Sequence, residues 1–269
     1  MPEQPTASPD LVFARQLADL AESIALPRFR SADLRIDTKP DRTHVTDADL
    51  AVEHALRERI ASERPSDGFF GEESGTREAA ASDGPVRRWI LDPIDGTANF
   101  LRGVSNWATL IALEVDGTVT TGVVSMPALG ARWFAELGGG AWREDRGAAP
   151  VRIRVSGVRE LADASLSFQS IGQWRTAERT DALLALSSRV WRDRAYGDSW
   201  SYMLLAEGLL DIVAEFDVKA YDLAAHVPIV REAGGRFTDV DGNETAWSGS
   251  ALATNGLLHA ATIAAIAEA

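Results

Sequence analysis

The chain has no cysteine, so disulfides and thiolate metal sites are closed to it. Its four histidines are scattered, which sets zinc aside as well. No apolar run is long enough to span a bilayer, and the opening MPEQPTASPD lacks the basic and apolar parts of a signal peptide. Positive charge is in deficit: 27 Lys and Arg against 40 Asp and Glu give a net charge of −13, which argues against a nucleic-acid or anionic-membrane partner. A cytoplasmic protein is the expectation. No DxDxDG-type loop is present, which disfavours Ca2+. Gly138-Gly139-Gly140 lacks the following Lys-Ser/Thr of a phosphate loop and reads as a hairpin turn. Internal repeats are absent.

Against these absences stands the segment WILDPIDGTANFLR at 89–102. A short apolar run ends in Asp92 and Asp95, with Pro93 between them. Pro93 fixes its own φ and biases Asp92 toward an extended backbone, so the spacing predicts a stiff turn on which two carboxylates converge. Gly96 admits a ligand close to backbone, and Thr97 is placed to open a helix whose free N–H groups favour an anion. Alone, the segment is equally a strand, a turn and a helix cap. It has company, however: Glu72, in Gly71-Glu72-Glu73-Ser74 after Phe69-Phe70, and Asp222, opening YDLAAHVPIVREAGG. Oxygen ligands of this kind suit Mg2+, and paired ions can steady both the attacking and the leaving oxygen of a phosphoryl transfer.

These motifs, in this order and across roughly residues 10–265, resemble the inositol monophosphatase family of Mg2+-dependent phosphatases. The resemblance implies a layered αβαβα sugar-phosphatase fold and two or three Mg2+ per site. By the same resemblance Glu72, Asp92 and the carbonyl of Ile94 hold one ion, Asp92, Asp95 and Asp222 a second, and Glu72 a weaker third. Thr97, oriented by Asp49, activates the attacking water with Glu72, while Gly96 and Thr97 amides and Lys39 receive the phosphate. Asp47 lies close enough in sequence to compete with Asp49. The family also implies a homodimer.

Periodicity sets the organisation. After a flexible tail at 1–9, Ser8 and Pro9 start a helix whose stripe, Leu11, Ala14, Leu17, Ala18, Ala21, Ile24 and Ala25, runs to Pro27. A second helix is predicted over 48–62. Strands follow at 88–91, 107–115, 119–126, 131–136 and 151–155, with a hairpin at Asp116-Gly117. From about 156 strands and helices alternate: strands at 165–168, 190–195 and 211–216, and helices at 177–188, 199–207 and from Tyr221 to Gly234-Gly235. We therefore expect an α+β domain at 10–155 with most metal ligands, joined to an α/β domain at 156–269.

Substrate choice rests on other residues. Glu215 matches an acid that touches the leaving alcohol in the family. Where inositol phosphatases carry glycine and two small residues, this chain reads Gly197-Asp198-Ser199, adding a carboxylate. An extra anion suits a cationic alcohol, through charge-assisted hydrogen bonds. With Tyr202 following, the pattern resembles histidinol-phosphate phosphatases of the family, the actinobacterial type above all, as does RIDTKPDRTHVTDAD. L-Histidinol phosphate is the expected substrate, with inositol 1-phosphate or a related sugar phosphate as the alternative. A partner-binding protein that keeps the fold without the chemistry is the rival from another class. Asp198 has a second reading as the cap of the next helix. His226, where the family usually has a small residue, reads as a packing or surface residue.

Overall fold

The computed structural model of the chain describes residues 7–39, 43–81 and 84–268. Residues 1–6 of the expected tail, residues 40–42 of the TKPD stretch and the final residue lie outside these. Helix α1 (Pro9–Arg28) starts where the sequence placed it: Ser8 Oγ accepts from Leu11 N at 3.1 Å, and Pro9 opens the first turn. Pro27 falls in its last turn, one residue before the end. After the short pair β1 (Ile36–Thr38) and β2 (His44–Thr46), α2 (Asp47–Glu63) begins with a capping box between Thr46 and Asp49.

Eight strands then form one sheet: β3 (Gly68–Gly71), β4 (Gly75–Arg77), β5 (Arg87–Asp95), β6 (Ala108–Val115), β7 (Thr118–Met126), β8 (Ala131–Glu136), β9 (Gly140–Asp145) and β10 (Val151–Arg152). Helix α3 (Thr97–Arg102) follows β5. The order is β10-β9-β8-β7-β6-β5-β3-β4, antiparallel except for β3 beside β5. Five more strands, β11 (Ser165–Ser167), β12 (Arg192–Arg194), β13 (Ile212–Phe216), β14 (Arg236–Thr238) and β15 (Ser250–Thr254), make a mixed sheet ordered β12-β11-β13-β15-β14. Its helices are α4 (Ile171–Thr176), α5 (Thr180–Arg189), α6 (Asp198–Ala206), α7 (Ala220–Leu223), α8 (His226–Glu232) and α9 (His259–Ala267).

Alternation along the strands assigns the layers. In β6, Ile111 and Leu113 pack with Leu17 of α1 and Leu56 of α2, whereas Leu110 and Ala112 share a core with Ile229 of α8 and Met203 of α6. On the far side of those two helices that core continues into Val213 and Ala253 of the smaller sheet, whose outer face packs on α5 and α9. The layers are therefore αβαβα. One apolar core is shared across the point where the chain passes from one sheet to the other, and the division into two domains near residue 155 stands as a proposal.

Three expectations are corrected. The helix read at 177–188 is α5 and starts only at Thr180, because Glu178 adopts φ 58° in the turn that separates it from α4, a helix the sequence reading did not expect. The helix read from Tyr221 onward is two. Pro228 has no N–H to give the carbonyl of Ala224, so the chain turns at Ala224-Ala225 before α8 begins. Most consequential, Asp92-Pro93-Ile94-Asp95 is not a turn but the end of β5.

The junction between α7 and α8 lies hard against β7. A Cβ on Gly122 would stand 2.2 Å from the carbonyl oxygen of Ala225 and 2.8 Å from Pro228 Cγ. Gly122→Ala should cost about 2 kcal/mol or more, read as a lower urea midpoint. An unchanged midpoint would mean that this helix junction does not rest on the sheet.

Candidate metal centre and substrate pocket

The end of β5 explains how Asp92 and Asp95 come together. In a regular strand, residues three apart point to opposite faces. Between Asp92, opposite Leu110, and Asp95, opposite Ala108, three steps of β5 face two of β6, which is a bulge. Pro93 sits within it, where a missing N–H costs no ladder bond, and its carbonyl accepts from Thr109 Oγ1 at 2.8 Å. The extra residue reverses the facing of Asp95. One carboxylate oxygen each of Asp92, Asp95 and Asp222 then lie within 4.8 Å of one another.

This set is costly without a counter-charge. Asp92 is 2% exposed, and its Oδ1 is buried with no hydrogen-bond partner among the described residues. Burial, then repulsion from Glu72, Asp95 and Asp222, holds its carboxyl well above the usual range. Burial, then repulsion from Asp198, does the same to Asp95; burial raises Asp222, with repulsion from Glu72 adding to it. An oxygen-only donor set with an orphaned buried oxygen fits a hard divalent cation, whose ligands stand ~2.0–2.5 Å away. The residues present fit such an ion.

Glu72 follows β3, its N–H donating to Leu91 O at 3.3 Å, so the parallel pairing of β3 with β5 sets it beside Asp92. Lys39 Nζ lies 2.8 Å from Glu72 Oε1 and 2.7 Å from Glu73 Oε1. Burial works against the ammonium, but the two glutamates outweigh it and its pKa is raised. Lys39 thus meets the acidic loop, and no anion-binding contact is needed to explain its position. Glu73 is raised to about 7, by burial first and despite Lys39.

Thr97 Oγ1 is 3.3 Å from Asp49 Oδ1 and 3.1 Å from the carbonyl of Ile94, which brings together two of the residues expected to activate water and the carbonyl expected at the metal. Burial raises Asp49 to about 6, offset by two hydrogen bonds from Thr46. Asp47 does not compete: its Oδ2 takes Arg28 and Arg35 instead. Gly96, at φ 82°, caps α3 and lies under Asp198, whose Cγ would be 3.4 Å from a Cβ placed there.

Asp198 does not cap α6; Gly197 does, at φ 81° and without a side-chain bond. Both Asp198 oxygens accept from carboxamides instead, Oδ1 from Gln169 at 3.2 Å and Oδ2 from Asn99 at 2.6 Å and Asn106 at 3.4 Å. Burial raises its pKa. Ser199, expected at the substrate, gives its N–H (2.9 Å) and hydroxyl (2.6 Å) to Asp95 Oδ2. Glu215 is 4% exposed, accepts from the Tyr202 hydroxyl, and is raised by burial to about 8. Together with Asp217, these acids border a cavity of about 180 Å3.

Two participants escaped sequence reasoning. Glu53, buried in α2, accepts from Glu73 N at 2.8 Å, Ser74 N at 2.7 Å and the Ser74 hydroxyl, pinning the loop that carries Glu72. Its signal was an acid among Val52, Leu56 and Ile60 on the inner face of the helix. His226 is a packing residue rather than a surface one, 1% exposed, and what the sequence did not show is its partner, Ser199 Oγ, 2.9 Å from its Nε2. The glycine triplet gives its amides to the chain's own acid, Gly138 N and Gly140 N each 2.8 Å from a Glu232 oxygen.

Known proteins resemble this chain over nearly its whole length. The sequence model described as the inositol monophosphatase family matches residues 7–269. A histidinol-phosphatase of Mycobacterium tuberculosis is 52% identical over 250 residues, covering 93% of this chain and 95% of its own. A histidinol-phosphatase of Streptomyces coelicolor is 46% identical over 254 residues, covering 93% and 94%. Among solved structures, an inositol monophosphatase from Zymomonas mobilis superposes with a TM-score of 0.81 at 31% identity, over 96% of this chain and 97% of that one. With its fold and nearly its full length in common with these proteins, the chain belongs to the inositol monophosphatase family and is a phosphate monoester hydrolase.

Proposed function

We propose that the chain hydrolyses L-histidinol phosphate to L-histidinol and phosphate, a step of histidine biosynthesis, with Mg2+ as its ion. One observation carries the choice of substrate. Beyond Asp95 and Asp222, which belong to the metal cluster, three acids, Asp198, Glu215 and Asp217, line the cavity, and among the described residues no Lys or Arg does. A neutral polyol needs no such excess, whereas an ammonium and an imidazole gain from it. Asp217 is exposed and, among the described residues, has no partner; Glu215, raised to about 8 by burial, is returned to its charged form by an arriving cation. The two histidinol-phosphatase relatives support the same substrate.

Water attacks phosphorus in line, the bond to the alcohol oxygen breaks, and that oxygen leaves to be protonated as the alcohol. Thr97 commits its proton to Asp49 and the Ile94 carbonyl, leaving its oxygen to accept from the water, and Glu72 takes the water's proton. Gly96 and Thr97 amides meet the phosphate, with Lys39 alongside. Bound Mg2+ would supply the charge that steadies the attacking and leaving oxygens, held by Asp92, Asp95, Asp222, Glu72 and the Ile94 carbonyl. Two or three ions per site, a homodimer and a cytoplasmic location belong to the same reading.

The deciding measurement is Mg2+-dependent phosphate release from histidinol phosphate, inositol 1-phosphate, fructose 1,6-bisphosphate and adenosine 3′,5′-bisphosphate, side by side. A preference for the inositol ester would overturn the assignment. Because Asp198 also ties α3 to α6 through Asn99, Glu215→Gln is a cleaner variant than Asp198→Ala. It should lower kcat/KM for histidinol phosphate by about tenfold or more, the worth of one charge-assisted bond, and change inositol 1-phosphate turnover little.

A further inference from the structure

Ser199 and His226 meet beside Asp95, and all three border the same cavity. Asp95 Oδ2 accepts both the backbone N–H and the hydroxyl of Ser199, while among the described residues no hydrogen bond falls on Oδ1. Facing a carboxylate, the serine hydroxyl must donate, so its single proton is spent. His226 Nε2, 2.9 Å from the same Oγ, can therefore only donate to it, which places the ring proton on Nε2. Nδ1 is then an acceptor, buried and without a partner. The ring stacks on Tyr202 with centroids 4.3 Å apart and planes 9° from parallel. Burial keeps the imidazole neutral, its pKa lowered to about 3.

We propose that His226 and Ser199 are positioning residues for Asp95, holding its carboxylate so that Oδ1 is the oxygen offered to the divalent cation at the three-aspartate cluster. This rests on the metal reading above but not on the identity of the substrate. A carboxylate turns about one bond, and an unheld one exchanges its two oxygens. Two donors on Oδ2 from α6 stop that exchange, and the histidine fixes the serine rotamer that makes the second donor possible. The histidine has a further consequence. His226 follows Asp222 by one helical turn of sequence on the α7–α8 segment, so one segment delivers a cation ligand and also holds another ligand, carried by β5, through α6. Such outer contacts commonly contribute 10–100-fold to metal affinity.

The test is calorimetric titration of Mg2+ into the full chain without substrate, followed by kcat and KM at saturating Mg2+. Ser199→Ala and His226→Phe, the latter keeping the stack on Tyr202, should each weaken Mg2+ binding about tenfold or more. His226→Gln, whose amide nitrogen reaches the place of Nε2, should restore most of the affinity, whereas His226→Asn should not. Substrate KM at saturating Mg2+ should move far less than the Mg2+ constant. Wild-type Mg2+ affinity in His226→Phe would overturn the proposal and leave His226 a packing residue, as would equal losses in the Gln and Asn variants. A wild-type chain that binds no Mg2+ would overturn the metal reading itself and this proposal with it.

Discussion

Asp92→Asn is expected to abolish phosphate release while raising the melting temperature of the protein in chelator. The substitution keeps shape and removes one charge from a residue 2% exposed, whose Oδ1 has no hydrogen-bond partner among the described residues. On the metal reading proposed above, that charge would help hold the cation whose charge steadies the attacking and leaving oxygens, a contribution of several kcal/mol, so kcat/KM should fall by at least about 10^3-fold at saturating Mg2+. Without the ion the same charge is a liability, since burial and then Glu72, Asp95 and Asp222 all oppose it. An amide there relieves the repulsion, so stability and activity move in opposite directions. Substantial phosphate release by the variant would remove the cluster from the chemistry. A lower melting temperature in chelator would show that the three aspartates do not repel one another in the folded chain.

The second large effect is on pH. Asp92, Asp95, Asp222 and Glu215 are all raised by burial, Glu215 to about 8. In the unfolded chain such groups titrate near 4. Between those limits the folded protein holds protons that the unfolded one has lost. The stabilising share of each group is therefore whole below about pH 4 and is lost as pH rises through its folded value. His226 and His259, lowered to about 3 and about 4 by burial, act in the opposite sense, but only below the unfolded histidine value of about 6.5. From about pH 6.5 to about pH 8.5 the carboxylates act alone, and the melting temperature in chelator should drop by roughly 10 °C. Saturating Mg2+ should abolish the drop, because a bound cation favours the ionised carboxylates. Differential scanning calorimetry at several pH values, with and without Mg2+, measures both. A chelated protein whose melting temperature holds or rises across that range would contradict the raised carboxylates.

Much of the architecture is written locally. The α1 stripe, the Ser8 cap, the Asp116-Gly117 hairpin and the strand runs of β6 to β8 depend on near neighbours in the chain, and each is found in the structure. Local signals fail where the next constraint is distant. A Pro between two Asp is compatible with a turn or a bulged strand end; pairing of β5 with β6 on one side and β3 on the other selects the strand. Periodicity likewise started a helix at Ala177, where the backbone angle of Glu178 delays it to Thr180, and ran on through Ala224, where one missing N–H breaks it.

For the site, the sequence by itself determined the inventory: Glu72, Asp92, Asp95 and Asp222, all oxygen donors in a chain without cysteine, and Asp49 and Thr97 of the right kinds for water activation. Their partners were decided only by the tertiary structure. Asp47 and Asp49 are chemically the same and two residues apart, yet one faces Arg28 and the other Thr97, because α2 turns them to different sides. Ser199 lies 104 residues from Asp95, and His226 27 residues from Ser199. Chemistry depends on which atoms a residue can offer, which its type settles. Placement depends on which distant groups share a core, and here β5, α6 and the α7–α8 segment are brought to one point by apolar surface that all of them bury.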